Sequence, residues 1–196
     1  MHAHHCTICA EKDATIAQLN EENAALRWED ELHMLNRAGL KHAIRTLNPD
    51  TTYTIVFADI DRLKVLNSAT GNHIQTNRYL RAGLAVRAGE IAGQFLGDEF
   101  LFLIDEHGPS GDRRYHDSAS AFVARIARQL AGQPLTISER YALAAAQQCH
   151  VSEAKLSATF ATQSGVTAAQ VLAAVEQLSC QVLAQKAERD LAVRVV

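Results

Sequence analysis

The stretch that most constrains this chain is Phe95-Leu96-Gly97-Asp98-Glu99-Phe100, which runs on into Leu101-Phe102-Leu103-Ile104. Apolar runs rich in aromatic and branched residues on both sides of one glycine predict two strands joined by a tight turn. Glycine at the bend lets the backbone turn sharply and come close to a ligand. The turn also holds two adjacent carboxylates, Asp98 and Glu99, whose repulsion a bound cation would relieve. Taken alone, an acidic hairpin tip is equally a solvated turn. A second acidic strand end upstream, at Asp59 and Asp61, favours the cation.

That upstream end belongs to residues 52–58, Thr-Tyr-Thr-Ile-Val-Phe-Ala, which read as a buried central strand. The strand delivers Asp59 and Asp61 at its C-terminal end, the edge where open α/β sheets bind ligands. Residues 62–69 and 75–88 read as helices separated by Gly71-Asn72, and the hairpin follows them. Residues 105–117 form a polar loop broken at Gly108-Pro109-Ser110-Gly111. Residues 118–131 are an amphipathic helix with Phe122, Ile126 and Leu130 on one face. Residues 135–151 are readable as strand or as helix. Residues 155–161 alternate as a strand, 167–189 form a long helix, and 191–196 supply a last short strand. The order β-α-α-β-β-α-β-α-β predicts an α/β (α+β) fold, a mixed central sheet flanked by helices.

Upstream, residues 1–10 hold His2, His4, His5, Cys6 and Cys9, half of a zinc site by ligand type or simply a frayed terminus. From residue 11 to about 47 the composition is helical. Ile16, Leu19, Asn23 and Leu26 fall on the a/d rhythm of a two-stranded coiled coil, though for barely two heptads. The expected organisation is therefore a disordered or metal-binding segment at 1–10, a helical dimerising segment at 11–35 and a domain at 36–196. A helix packed on its own domain explains the same heptad residues.

Composition narrows the partners. A net charge of −3 gives no electrostatic case for DNA or RNA. No apolar run approaches the roughly 18 residues that span a bilayer. The lack of a signal-peptide core and the four cysteines lead us to expect a cytoplasmic protein.

Two acidic strand ends separated by two helices suit a metal-dependent phosphoryl or nucleotidyl transferase, because carboxylates hold a divalent ion against triphosphate oxygens. The residues also carry a resemblance. Asp59-Ile60-Asp61-Arg62-Leu63-Lys64-Val65-Leu66-Asn67 resembles the D-x-D-x-F-K-x-x-N motif of GGDEF domains, and Leu96-Gly97-Asp98-Glu99-Phe100 resembles their G-G-[DE]-E-F hairpin. Asn36-Arg37-Ala38-Gly39-Leu40 is similar to the N-R-x-G-[LF] opening, and residues 181–186 to the A-L-Y-x-A-K helix. The resemblance implies a GGDEF palm-like sheet and a diguanylate cyclase, in which two facing domains join two GTP molecules into cyclic di-GMP and release two pyrophosphates. It further implies Mg²⁺ or Mn²⁺ held by Asp59, the Ile60 carbonyl and Asp98, with Asp98 and Glu99 catalytic. Asn67, Asn72, Thr76, Gly97 and Lys186 would contact substrate, and the chain would act as a homodimer. Arg87 and Glu90 fall where a product-inhibition site would lie, and a helix-end charge pair explains them as well.

The chain departs from that pattern at three places. Leu96 replaces the first glycine of the hairpin motif. Thr76 stands where an Asp reads the guanine edge, and Asn72 where a His is usual, so ATP is the alternative substrate to the favoured GTP. Asp190 replaces a phosphate-binding Arg, with Arg189 next door. A degenerate module that binds nucleotide or a protein without turnover is the competing expectation.

Overall fold

The computed structural model describes residues 34–107, 118–138 and 156–194, together with residues 12, 14–17, 19, 28, 29 and 32, the side chains of 28, 29 and 190–194 excepted. The order of elements is β1 (Trp28–Glu29), β2 (Met34–Leu35), α1 (Arg37–Arg45), β3 (Thr52–Ile60), α2 (Leu63–Thr70), α3 (His73–Gly83), β4 (Glu90–Leu96), β5 (Glu99–Asp105), α4 (Ala119–Ala131), β6 (Ala158–Thr167) and α5 (Val171–Arg194). The strands form one mixed sheet in the order β1-β2-β4-β5-β3-β6, with β2 and β4 parallel and the other neighbours antiparallel.

Strand residues alternate faces, so each central strand feeds two cores. Val56, Ala58 and Ile60 of β3 join Phe100, Phe102 and Ile104 of β5 beneath Leu66, Leu80, Phe122 and Ile126 of α2, α3 and α4. Ile55 and Phe57 join Leu101 and Leu103 beneath Leu40 and Ile44 of α1 and Val171, Val175 and Leu178 of α5. This double burial explains why residues 52–58 read as a continuous apolar run. It also sends odd-numbered residues of β3 and β5, Asp59 and Glu99 among them, toward the α1 and α5 face.

Local chemistry sets the ends. Asn36 caps α1, its Oδ1 accepting from the Gly39 N–H at 3.0 Å. Leu40 then presses on the sheet at Gly93, where a Cβ would lie 2.3 Å from Leu40 Cγ and 2.7 Å from the Leu35 carbonyl oxygen. Asn72 caps α3 through the Gln75 N–H at 2.9 Å. At the far end of the sheet Glu106 accepts from Thr52 and Thr54 hydroxyls at 2.9 and 2.8 Å and from the Gly165 N–H at 2.7 Å. That grip sits beside the register shift between Tyr53 and Ile55 in the β3–β6 pairing.

Several expectations need correction. The helix expected from 11 to 47 is interrupted, because residues 28–29 and 34–35 pair as antiparallel strands and Leu35 adds to β4 opposite Gly93. Backbone pairing to an open sheet edge overrides helical composition there. The helix expected at 75–88 spans His73–Gly83, starting at its Asn72 cap. The last strand expected at 191–196 is absent through residue 194, where α5 continues. Leu, Ala and Arg favour helix, and no glycine or proline interrupts them. Cys6, Cys9, the N-terminal histidines, Asn23, Leu26 and residues 139–151 lie outside the described residues. Of the proposed heptad, Ile16 and Leu19 are described, and both are about half exposed.

Candidate functional site

Pairing of β3 with β5 aligns Asp59 with Glu99. The Ile60 N–H donates to the Asp98 carbonyl at 2.9 Å, so the 59/99 position is the non-hydrogen-bonded one, where opposed side chains lie closest. Like charges directly opposite each other are destabilising. The fold therefore sets two carboxylates side by side on one face and adds Asp98 at the adjoining turn. Gly97 makes that turn possible at φ +55°, with its carbonyl held by Gln94 Nε2 at 2.6 Å, and a Cβ there would meet nothing within 4 Å.

Asp59 is buried, and its Oδ1 accepts from Lys186 Nζ of α5. The same ammonium lies 3.4 Å from the Ile60 carbonyl oxygen. A carboxylate and a backbone carbonyl thus converge on one positive charge, the donor chemistry of a hard divalent cation. Among the described residues no group of three or more His, Cys, Asp or Glu side chains gathers. The oxygens that meet here are the Asp59 carboxylate and the Ile60 carbonyl, with Asp98 at the adjoining turn. Hard oxygen donors few in number are the chemistry that suits magnesium, which keeps several waters of its own.

Partial burial pushes the Glu99 carboxyl above its ordinary value, the adjacent Asp98 charge adds to the rise, and Arg37 of α1 opposes it. Arg37, part of the Asn36-Arg37-Ala38-Gly39-Leu40 motif, thus lies near enough for its charge to act on Glu99. Asp61, expected beside Asp59, serves a different purpose. It accepts from Thr159 at 2.9 Å, from Ser157 at 3.1 Å and from Arg189 at 2.9 Å, and Arg189 also meets Thr159. Arg189 is therefore spent on fastening α5 to the strand end. The Asp190 side chain lies outside the described residues. Directly after Asp61, Arg62 adopts φ 55°, the one non-glycine residue in the left-handed region among those described, and starts α2 without a side-chain cap.

Of the expected substrate contacts, Asn67 has a buried Oδ1 with no hydrogen-bond partner among the described residues, an acceptor awaiting a donor. Thr76 is wholly buried and shares a 2.8 Å hydrogen bond with Thr70, so in this arrangement it offers nothing to a ligand. Asn72 spends its Oδ1 on the α3 cap. Leu96 is 56% exposed at the mouth of the turn. Arg87 and Glu90 are brought together, yet Glu90 is already satisfied: Oε2 accepts the Arg87 backbone N–H and Oε1 the guanidinium of Arg125, each at 2.7 Å. A cavity of about 220 Å³ lined by Leu47, Tyr53, Gly89 and Asp105 lies at the opposite strand ends from Asp59.

Comparison with known proteins agrees with this architecture. The chain matches no protein-family profile. It is 28% identical over 136 residues to the bifunctional diguanylate cyclase/cyclic di-GMP phosphodiesterase MucR of Pseudomonas aeruginosa, covering 63% of this chain and 18% of that one. It therefore spans under a fifth of that curated relative. Among solved structures, the diguanylate cyclase SiaD of P. aeruginosa, in complex with its activator SiaC, aligns with a TM-score of 0.56 at 16% identity, over 91% of this chain and 68% of that one. The coiled coil and GGDEF domain of DgcB from Caulobacter crescentus, in complex with c-di-GMP, gives 0.56 at 16%, over 93% and 94%. The chain has the fold of the GGDEF domains, as its two motifs imply.

Proposed function

We propose that this domain is a metal-dependent cyclic-dinucleotide synthase, most simply a diguanylate cyclase that joins two GTP molecules and releases two pyrophosphates. The observation that carries the reading is the pairing of Asp59 with Glu99 next to the Asp98 turn, with the Asp59 carboxylate and the Ile60 carbonyl meeting at one cationic group. Asp59, Asp98 and the Ile60 carbonyl would hold Mg²⁺ or Mn²⁺, which when bound neutralises triphosphate charge and makes the attacking hydroxyl more acidic. Glu99, whose proton affinity is raised, is suited to take the proton of the 3′-hydroxyl. Lys186 would supply positive charge to the phosphates and Asn67 an acceptor to the base. Gly97 would let the backbone pass the nucleotide. Because each substrate attacks the other, two domains must face one another, and the N-terminal helical segment would raise their effective concentration.

A second reading, a non-catalytic nucleotide- or protein-binding module, is favoured by specific features. Leu96 projects at the turn, Thr76 is buried, and Asn72 is spent on its cap. The two readings separate when the purified chain is incubated with each of the four nucleoside triphosphates and with mixtures, in Mg²⁺ or Mn²⁺, and the products are chromatographed. The enzyme reading requires a cyclic dinucleotide that disappears in Asp98→Ala. No cyclic product and no pyrophosphate under any condition leaves the binding module. A product made from ATP would identify a changed base preference.

A further inference from the structure

Asp59 and Asp61 lie two residues apart at the end of β3, and α5 meets both. Lys186 takes Asp59, and Arg189, three residues further along the helix, takes Asp61 at 2.9 Å. The strand advances about 6.6 Å and the helix about 4.5 Å between these positions, so the two long side chains reach both carboxylates at once. Together the two pairs fix the rotation and register of α5 on the strand end. The Asp61 pair is the more firmly built. Its carboxylate, with 14% of the side chain exposed, also accepts from Thr159 at 2.9 Å and from Ser157 at 3.1 Å. Its backbone N–H donates to the Ser157 carbonyl at 2.9 Å, and Arg189 closes the cluster on Thr159. One carboxylate thus ties the end of β3, the start of β6 and the end of α5 together.

We infer that Asp61 is a positioning residue, whose hold on Arg189 sets α5 so that the Lys186 ammonium stands at the strand end, beside Asp59 and the Ile60 carbonyl. The inference rests on the phosphate role given to Lys186 above and deepens it. Lysine carries its charge on a flexible four-carbon stem, so one backbone position allows the ammonium many places. Where it stands is therefore set by how the helix holds the stem. The planar fork of arginine on a carboxylate is the more exacting contact, and it lies within one turn of Lys186. Both oxygens of Asp61 are engaged by hydroxyls and a guanidinium, the surroundings of a carboxylate that joins elements. Asp59 and Asp61, alike in the sequence, thus divide the work: one faces the cation position and the other holds the helix that brings Lys186 to it.

The test is calorimetric titration of the folded full chain with inorganic tripolyphosphate in Mn²⁺. Asp61→Asn removes a negative charge and Arg189→Met a positive one, so a direct effect of charge on the phosphates would shift their affinities in opposite directions. Positioning predicts that both bind about tenfold more weakly than the unaltered chain, the scale of one broken contact pair. The double variant should be no weaker than the weaker single one, since either change already releases the helix end. In Lys186→Met, which itself binds more weakly, neither change should have any further effect. A role in stability alone would lower the melting temperatures and leave the affinity of the folded protein as it was, which overturns the inference. Opposite shifts overturn it in favour of direct charge, and a loss confined to Asp61→Asn overturns it in favour of a metal ligand. Should Asp61→Asn fail to fold, Arg189→Lys decides, because Arg189 is half exposed and Lys keeps the charge while losing the fork. Weaker binding by Arg189→Lys supports positioning, and unchanged binding refutes it. Weakening in Lys186→Met alone would leave the phosphate role standing and remove Asp61 from it. No binding by the unaltered chain, or binding as tight in Lys186→Met, would remove the phosphate role and this inference with it.

Discussion

Replacing Arg125 by Met should destabilise the domain well beyond an ordinary surface change. Arg125 and Glu90 meet at 2.7 Å with only 15% and 8% of their side chains exposed, and the guanidinium also lies 4.8 Å from the centre of the Phe122 ring. Removing one partner of a buried pair costs about 3–5 kcal/mol, because the other charge is left uncompensated. Here Glu90 keeps the Arg87 N–H on its second oxygen, which brings our figure down to about 2 kcal/mol. For a chain of this size that corresponds to a fall of about 4–8 °C in melting temperature. Glu90→Gln should lose less, and the double variant should lose less than the sum of the two, as contacting residues do. Thermal and urea unfolding of the three variants checks this. An Arg125→Met protein melting within about 1 °C of the unaltered chain would refute the claim that Glu90 is satisfied within the fold. The outcome also bears on Arg87 and Glu90 as a product site, since a ligand there would have to compete with Arg125.

Further outcomes follow from the same geometry. Glu99→Gln should raise metal-free stability near pH 7 by a few tenths of a kcal/mol, discounted for exposure. A carboxyl raised above its ordinary 4.5 lowers stability as pH rises through that window, so the gain should vanish below about pH 4.5 in paired melts. Glu106 has the opposite sign. Burial pushes it up, but the Gly165 N–H, the Thr54 and Thr52 hydroxyls and His107 together bring it below 4.5. Its contribution is therefore present above that value and is lost as pH falls below it, and Glu106→Gln should flatten the acid limb of the stability profile. Gly93→Ala, which drives a Cβ onto Leu40 and the Leu35 carbonyl, should cost about 2–3 kcal/mol in urea unfolding. Gly97→Ala, which meets only the positive-φ penalty, should cost about 1 kcal/mol. The reverse ranking would contradict the packing described.

Local features were legible in the sequence. The apolar run at 52–58 and the glycine turn at 97 give the central hairpin and strand because burial on both faces and a tight turn leave direct compositional traces. The acidic strand ends at Asp59 and at the glycine turn were legible with them, whereas the placing of Asp59 opposite Glu99 came from the register of β3 on β5. What the sequence hid was partnership across long separations. Nothing near Glu90 announces that Arg125, on another element, takes it. Nothing near Asp61 announces Arg189, which takes it. Thr76 reads as a substrate contact by position, and only the packing of α2 against α3 shows its hydroxyl turned to Thr70. The strands at 28–29 and 34–35 were invisible for a related reason. They are two residues long, and an open edge beside β4 decides their conformation over local propensity.

The claim that this fold cyclises nucleotides through Asp59, Asp98 and Glu99 is tested most directly by pyrophosphate release. Release from GTP is followed against Mn²⁺ concentration in the unaltered chain and in Asp59→Asn. We expect metal-dependent release accompanied by a cyclic dinucleotide, and a loss of at least about a hundredfold in Asp59→Asn, the scale of losing one electrostatic contact to a transition state. Release of equal size in Asp59→Asn would contradict the assignment of the site.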